Sequence, residues 1–352
     1  MGKKLKILIC PLNWGLGHAT RCAPIIKKLS DLGHTITIAG DGNALEVLKR
    51  EFPHLEYKEL APLDILYSKY FFPGLILQSI KMIIWMQKDR TMLDQILKEI
   101  SYDVIISDSR PAIFSSKIKS VFIINQPNPL IPWYYGSMII KLMLNRIYRK
   151  YHEIWIPDIK GINSLGGELI NISKHKNIKY IGWLSRLKIN NSLNEIPGKI
   201  LAIISGPEPA RSDFQQKLDL ILPVELVTLI GGEVKKLEKS TRYISFLEPN
   251  DLSFQIETAE YIISRGGYSS LMDLAFSNKK LILVPTPGQT EQEYLAQRLV
   301  EKKYAVIWDM DIESWADVKL KSDMAKRFDL QELNRDNDKF LAEALKQLEG
   351  LT

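Results

Sequence analysis

Short apolar runs alternate with stretches of helical spacing along most of the chain. Residues 6–12 read KILICPL, apolar after the first position and too short for a helix, the pattern of a strand buried on both faces. Residues 19–32 then place Cys22, Ile25, Ile26, Leu29 and Leu32 at helical spacing, and Gly33 supplies a stop. Further strands are expected at 34–40, 103–107, 121–125 and 153–157. The rhythm breaks over 183–198, a polar stretch with Asn190, Asn191, Asn194 and Pro197. It resumes with strands at 199–205, 225–231, 242–247, 259–264, 280–285 and 305–309, and a charged amphipathic helix is expected over 330–348.

Strands separated by helices need crossover connections, which give parallel sheets covered on both faces. The expected fold is therefore α/β, with two doubly wound Rossmann-like domains. The first spans 1–182, a linker 183–198, and the second 199–329. The helix within 330–352 has the option of crossing back to the first domain. Ligands of such sheets sit at the carboxyl ends of the strands, here in a central cleft faced by both domains.

Composition changes this picture little. A chain of 352 residues, 45% hydrophobic and 25% charged, suits two globular domains. The net charge of +6 suits acidic ligands such as nucleotide phosphates, or an anionic membrane surface. The basic residues are scattered without an RNA-binding signature, so no nucleic-acid partner is expected. Cys10 and Cys22 make neither a disulfide framework nor a zinc site, which fits a reducing cytoplasm. No apolar run reaches the ~18–20 residues of a membrane span, and no signal-peptide pattern opens the sequence. The segments 70–85 and 130–150 are nevertheless unusually apolar, and the second carries Lys141, Arg146, Arg149 and Lys150. Two readings of them stand: docking at the inner membrane face or on a lipid-linked acceptor, or covering a sheet or a second copy.

Four turns from a strand into a helix carry residues suited to chemistry. Gly15, Gly17, His18 and Arg21 follow the first strand; the glycines permit a tight turn, and a histidine near neutral pKa can act as a general base. Gly206 and Arg211 follow the first strand of the second half, where an arginine can meet an anion. Arg265, Gly266, Gly267, Ser269, Ser270 and Asp273 follow the strand at 259–264. Glycines let backbone approach a ligand, serines at a helix start attract phosphate, and Asp273 falls near the face of Ser269, where it can accept two ribose hydroxyls. Gln289, Glu291 and Gln292 follow the strand at 280–285 and can hydrogen-bond a polyhydroxylated ring. Asp108, at the end of the strand at 103–107, can orient His18 or cap a following helix.

The run from Arg265 to Asp273, then Pro285, Glu291, Gln292 and Ala296, resembles the donor-binding signature of GT-B glycosyltransferases. It is similar to glycosyltransferase family 28, the MurG-type N-acetylglucosaminyltransferases, and to the plant secondary-product glycosyltransferases. The resemblance implies that Arg265 contacts a diphosphate, Asp273 a ribose, and Glu291 and Gln292 the sugar hydroxyls. It also implies that Phe246 and Leu247 border the nucleobase and that Gly15–Arg21 faces the acceptor with His18 as base. Asp273 stands where glutamate is usual. Residues 180–186, YIGWLSR, resemble the domain-joining stretch of a bacterial and archaeal N-acetylglucosaminyltransferase-like subgroup.

The implied activity is inverting transfer of a hexose or N-acetylhexosamine from a UDP-sugar to a hydroxyl, with a lipid-linked acceptor and a cell-envelope product as one option. No cofactor and no obligatory metal are expected, because protein dipoles and cations can neutralise a leaving diphosphate. Two other readings stay open: an enzyme like the UDP-N-acetylglucosamine 2-epimerases, and a nucleotide-sugar binder without turnover.

Overall fold

The β-branched run from Lys6 to Pro11 becomes β1 (Lys6–Pro11), buried at every position after the first, at the centre of a parallel sheet. The structure is a computed structural model and describes residues 4–63, 71–130, 134–172, 177–189, 192–206, 208–231, 242–330 and 337–350. Two units separate. The first comprises Met1–Lys160, Ile170–Leu184 and Asp336–Thr352, the second Gly161–Leu169 and Ser185–Arg335.

In the first unit, β1 is joined by β2 (Thr35–Gly40), β3 (Glu56–Glu59), β4 (Val104–Asp108), β5 (Lys119–Ile123), β6 (Glu153–Ile156) and β7 (Ile178–Tyr180). The strand order is β3-β2-β1-β4-β5-β6-β7, with every pairing parallel. The chain runs outward in one direction from β1 and in the other from β4, so the switch point lies between these two strands. Their register sets Pro11 beside Asp108 and brings the loops after both strands together. Helices α1 (Gly17–Asp31), α2 (Gly42–Glu51), α3 (Phe71–Glu99) and α4 (Tyr134–Tyr148) make the connections.

The second unit contains β8 (Ile200–Ile203), β9 (Val227–Ile230), β10 (Arg242–Ile244), β11 (Tyr261–Ser264), β12 (Lys280–Leu283) and β13 (Ala305–Ile307) in the order β10-β9-β8-β11-β12-β13, again parallel. Its helices are α5 (Ala210–Ile221), α6 (Pro249–Thr258), α7 (Tyr268–Leu274), α8 (Thr290–Glu301) and α9 (Trp315–Met324). Phe214 and Leu218 of α5 pack with Ile200, Ala202, Ile263 and Ile282 of the sheet in its core.

The stretch expected as a linker behaves differently. From Ser185 onward it belongs to the second unit. Glu195 there pairs with Lys279 at 2.7 Å and with Arg327, and the Ser192 N–H donates to Glu257. Residues 190 and 191 lie outside the described residues. Gly161–Leu169 also joins this unit, where Arg298 donates to Ile162 O and Ser164 O. The terminal helix α10 (Asn337–Gly350) belongs to the first unit. Asn337 closes a two-way bond with the Trp183 backbone, accepting from its N–H at 2.6 Å and donating to its O at 2.8 Å.

Candidate functional site

In the first unit the chemistry gathers at the carboxyl ends of β1 and β4. Gly15 takes φ +74° with open space around it, and α1 starts at Gly17, so His18 is its second residue. One turn of α1 later comes Arg21. Asp108 ends β4, and Ser109 at φ +57° turns the chain without starting a helix, so Asp108 is not a helix cap. Its carboxylate instead collects His18 and Arg21. His18 Nδ1 lies 3.0 Å from Asp108 Oδ2. Arg21 Nε donates to both oxygens at 3.0 and 2.9 Å, and its Nη2 donates to Oδ1 as well.

Arg21, expected on the acceptor-side loop, lies on α1. It is 2% exposed and is the counterion of Asp108. Burial alone would raise the Asp108 carboxyl, but the charges of Arg21 and His18 outweigh it and hold the group at about 2. Burial and then the Arg21 charge push His18 below its ordinary value. The ring is therefore neutral at neutral pH, and the bonds it makes among the described residues run through Nδ1. A neutral imidazole held by a carboxylate on one nitrogen and free on the other can accept a proton.

A second buried network lies beside it, centred on a residue that the sequence reading does not single out. Arg110 is fully buried; it donates to Asp89 at 2.9 and 3.0 Å, to Asp41 at 2.8 Å, and to the carbonyls of Pro11 and Ala61. Its guanidinium lies 5.5 Å from the Trp85 ring centroid. Asn13 Nδ2 donates to Asp41, and Asn13 Oδ1 accepts from the Ala44 N–H at the start of α2. The network ties the ends of β1 and β2 to α2 and α3. No local pattern announces it, because its members are far apart in sequence.

In the second unit the glycine-rich turns form as expected, while several side chains point elsewhere. Gly266 takes φ +74°, and Gly267 precedes α7 with open space at its Cβ position and no side-chain cap at the helix start. Ser269 and Ser270 occupy the first turn of α7, half-buried. Arg265 is engaged by backbone carbonyls. It is 5% exposed, donates to the carbonyls of Val284, Pro285 and Ala210, and stacks 4.1 Å from the Phe214 ring centroid. Burial lowers its pKa to about 10, so it stays charged at neutral pH. It clamps the loop after β12 to the start of α5.

Arg211 is also engaged: Glu208 holds it through bonds of 2.7 and 3.0 Å. Gln292 is buried, and its Oε1 accepts from the Thr286 N–H at 2.8 Å. Glu291 accepts from the Tyr268 N–H at 3.3 Å and so links the turns after β11 and β12. Asp273 accepts from Ser185 Oγ at 2.7 Å, within the second unit. Gln289 stands at the N-cap of α8, and Phe246 and Leu247 lie half-buried in the loop after β10. Gly206 takes φ +107°, and a Cβ there would come 3.9 Å from Thr286 Oγ1, a buried hydroxyl without a partner among the described residues. Thr286 and Ser185 are additions to the sequence-derived set.

The two longest apolar segments fall partly on described residues. On α3, Ile80, Ile83 and Ile84 are exposed, as are Met138, Ile139, Ile140, Leu142 and Met143 on α4. A groove of about 380 Å³ is lined by Ile83, Met86, Gln87, Arg90, Phe114 and Lys150, among others. Arg90 and Lys150 each lie 5.0 Å from the Phe114 ring centroid. Among the described residues no helix is long and apolar enough to cross a membrane.

Residues 225–348 match the glycosyltransferase family 28 C-terminal domain. Two archaeal proteins named as uncharacterized glycosyltransferases are similar along most of their length. The one from Methanosarcina acetivorans is 25% identical over 85% of this chain and 84% of its own; the one from Methanosarcina mazei is 24% identical over the same shares. Among solved structures, the glycosyltransferase SnogD from Streptomyces nogalater aligns with a TM-score of 0.65 at 15% identity, covering 99% of this chain and 100% of its own. Arabidopsis thaliana UGT89C1, solved with UDP-L-rhamnose, aligns with a TM-score of 0.61 at 16% identity, covering 99% and 98%. The glycosyltransferase SsfS6 of Streptomyces, solved with thymidine diphosphate, aligns at 0.56 and 12% identity, covering 99% and 96%. The two parallel-sheet units thus match the GT-B fold, and with residues 225–348 matching a glycosyltransferase domain and glycosyltransferase relatives along most of the chain, the protein is a glycosyltransferase.

Proposed function

We propose that the protein transfers a hexose or N-acetylhexosamine from a UDP-sugar to a hydroxyl on a lipid-linked acceptor, with inversion at the anomeric carbon. The His18–Asp108 pair carries this reading: a neutral imidazole with one nitrogen on a buried carboxylate and the other unbonded among the described residues. The acceptor oxygen attacks the anomeric carbon while its proton passes to His18 Nε2. The bond from that carbon to the β-phosphate oxygen breaks, and UDP leaves with the electron pair. Direct displacement inverts the configuration.

The second unit supplies the donor site. Phosphate oxygens take the N–H groups and hydroxyls of Ser269 and Ser270 beside the unobstructed Gly267. Ribose hydroxyls replace the Ser185 hydroxyl on Asp273, and the sugar takes Gln289 and Glu291. Phe246 and Leu247 border the base. UGT89C1 and SsfS6 were solved with nucleotides of this class, which supports the donor assignment. The reaction as written calls for no metal and no organic cofactor. For the acceptor, the exposed isoleucines of α3 and the apolar residues of α4 beside Lys141, Arg146 and Lys150 support peripheral contact with an anionic membrane surface.

The test incubates the protein with radiolabelled UDP-sugars and a membrane lipid extract. Label in the lipid phase, lost in His18→Ala while UDP still binds within ~3-fold, is the expected result. An isomerised free sugar would establish the epimerase reading, and binding without turnover the non-catalytic one; either would overturn the proposal.

A further inference from the structure

Arg21 does more than neutralise a buried acid. The same Nη2 that bonds Asp108 also lies 2.8 Å from His18 Nδ1 and 3.1 Å from Ser109 Oγ. Asp108 Oδ2 approaches that same Nδ1 at 3.0 Å. A guanidinium has donors only, and a carboxylate has acceptors only. Nδ1 therefore serves one neighbour at a time. Protonated, it donates to Asp108 and leaves Nε2 basic. Unprotonated, it accepts from Arg21 and sends the ring proton to Nε2, where the ring cannot take a proton from an acceptor.

We propose that Arg21 is the positioning residue of the pair, acting on His18 through Asp108 and through its own charge beside Nδ1. The inference rests on His18 being the base. The groups that face the ring are few. Asp108 favours the imidazolium, while Arg21 and, more weakly, Arg110 oppose it. Arg110 is itself met by Asp89 and Asp41. The Cys22 thiol, 3.6 Å from Asp108 Oδ2, is pushed up by burial and stays neutral. Removing the charge at position 21 leaves Asp108 unopposed, so the ring gains its proton at higher pH.

The test follows the His18 ring resonance by NMR across pH in wild type, Arg21→Lys, Arg21→Gln and Asp108→Asn, with assignment by its absence in His18→Gln. Arg21→Gln should raise the His18 midpoint by ~1 unit or more, as expected for a charge within ~6 Å. Arg21→Lys should stay within ~0.5 unit, and Asp108→Asn should lower the midpoint. The acid limb of transfer from UDP-N-acetylglucosamine to the lipid extract should move up with the Arg21→Gln midpoint. A folded Arg21→Gln with an unmoved midpoint overturns the action of Arg21. If that variant does not fold, an unmoved midpoint in Asp108→Asn does the same. A midpoint that moves while the acid limb stays overturns His18 as the base, and with it the catalytic meaning of Arg21.

Discussion

Arg110→Met is the most demanding test of the scaffold beneath the site. The substitution keeps a long apolar stem against Trp85 but removes every bond that the guanidinium makes. Asp89, fully buried, loses both of its partners on Arg110, and Asp41 loses one. Removing one side of a buried ion pair costs about 3–5 kcal/mol, because the remaining charge is left without compensation. At about 2–4 °C per kcal/mol, the first unit should melt about 10 °C lower. The cost should depend on pH. Burial already raises the Asp89 carboxyl, and Arg110 opposes that rise. Without Arg110 the folded-state value climbs further, while the unfolded chain still ionises near pH 4. The unfolded state then holds fewer protons than the folded one, so stability falls as pH rises through this window. The penalty should be larger at pH 7.5 than at pH 4.5, and Asp89→Asn in the same chain should restore about 1–2 kcal/mol by removing the orphaned charge. Urea denaturation at both pH values, followed by near-UV circular dichroism, reads all three. A penalty below ~1 kcal/mol, or one indifferent to pH, would refute the reasoning.

Two further outcomes are expected. Gly267→Ala meets open space at φ −63°, so stability should change by less than ~0.5 kcal/mol, while UDP affinity measured by calorimetry falls about 10-fold; unchanged affinity would place the diphosphate elsewhere. Ile83→Glu with Leu142→Glu alters two side chains that are each 55% exposed, so folding should be unaffected while sedimentation with phosphatidylglycerol vesicles is lost; retained sedimentation would remove α3 and α4 from the membrane contact.

The parts of the fold that the sequence announces are those buried on both faces. β1, β4 and β11 are apolar runs with no other interpretation, and the turns that follow them had to hold any ligand chemistry. The edge strands β3 and β7 read Glu-Tyr-Lys-Glu and Ile-Lys-Tyr; one face and one edge meet solvent, so no apolar signal marks them. The arm after Ser185 looked like a linker because its attachment runs through charged side chains, Glu195 to Lys279 and Arg327, paired across long sequence separations. The site shows the same division. Glycines and helix starts are local and legible. The direction of a long side chain is not: Arg21 and Arg265 both sit on the expected loops, yet each turns inward toward an acceptor supplied by a distant strand end.

The membership of α10 in the first unit has a consequence for biosynthesis. A ribosome makes the β1–β7 sheet early, then the long second-unit segment Ser185–Arg335, and only then the helix whose Leu341, Leu345 and Leu348 are buried in the first. The first unit must wait, with that apolar seat uncovered, while Ser185–Arg335 of the second is made. Expressing residues 1–184 alone would leave the seat open for good, whereas a circular permutant that places α10 before β1 would let the first unit close before the second begins.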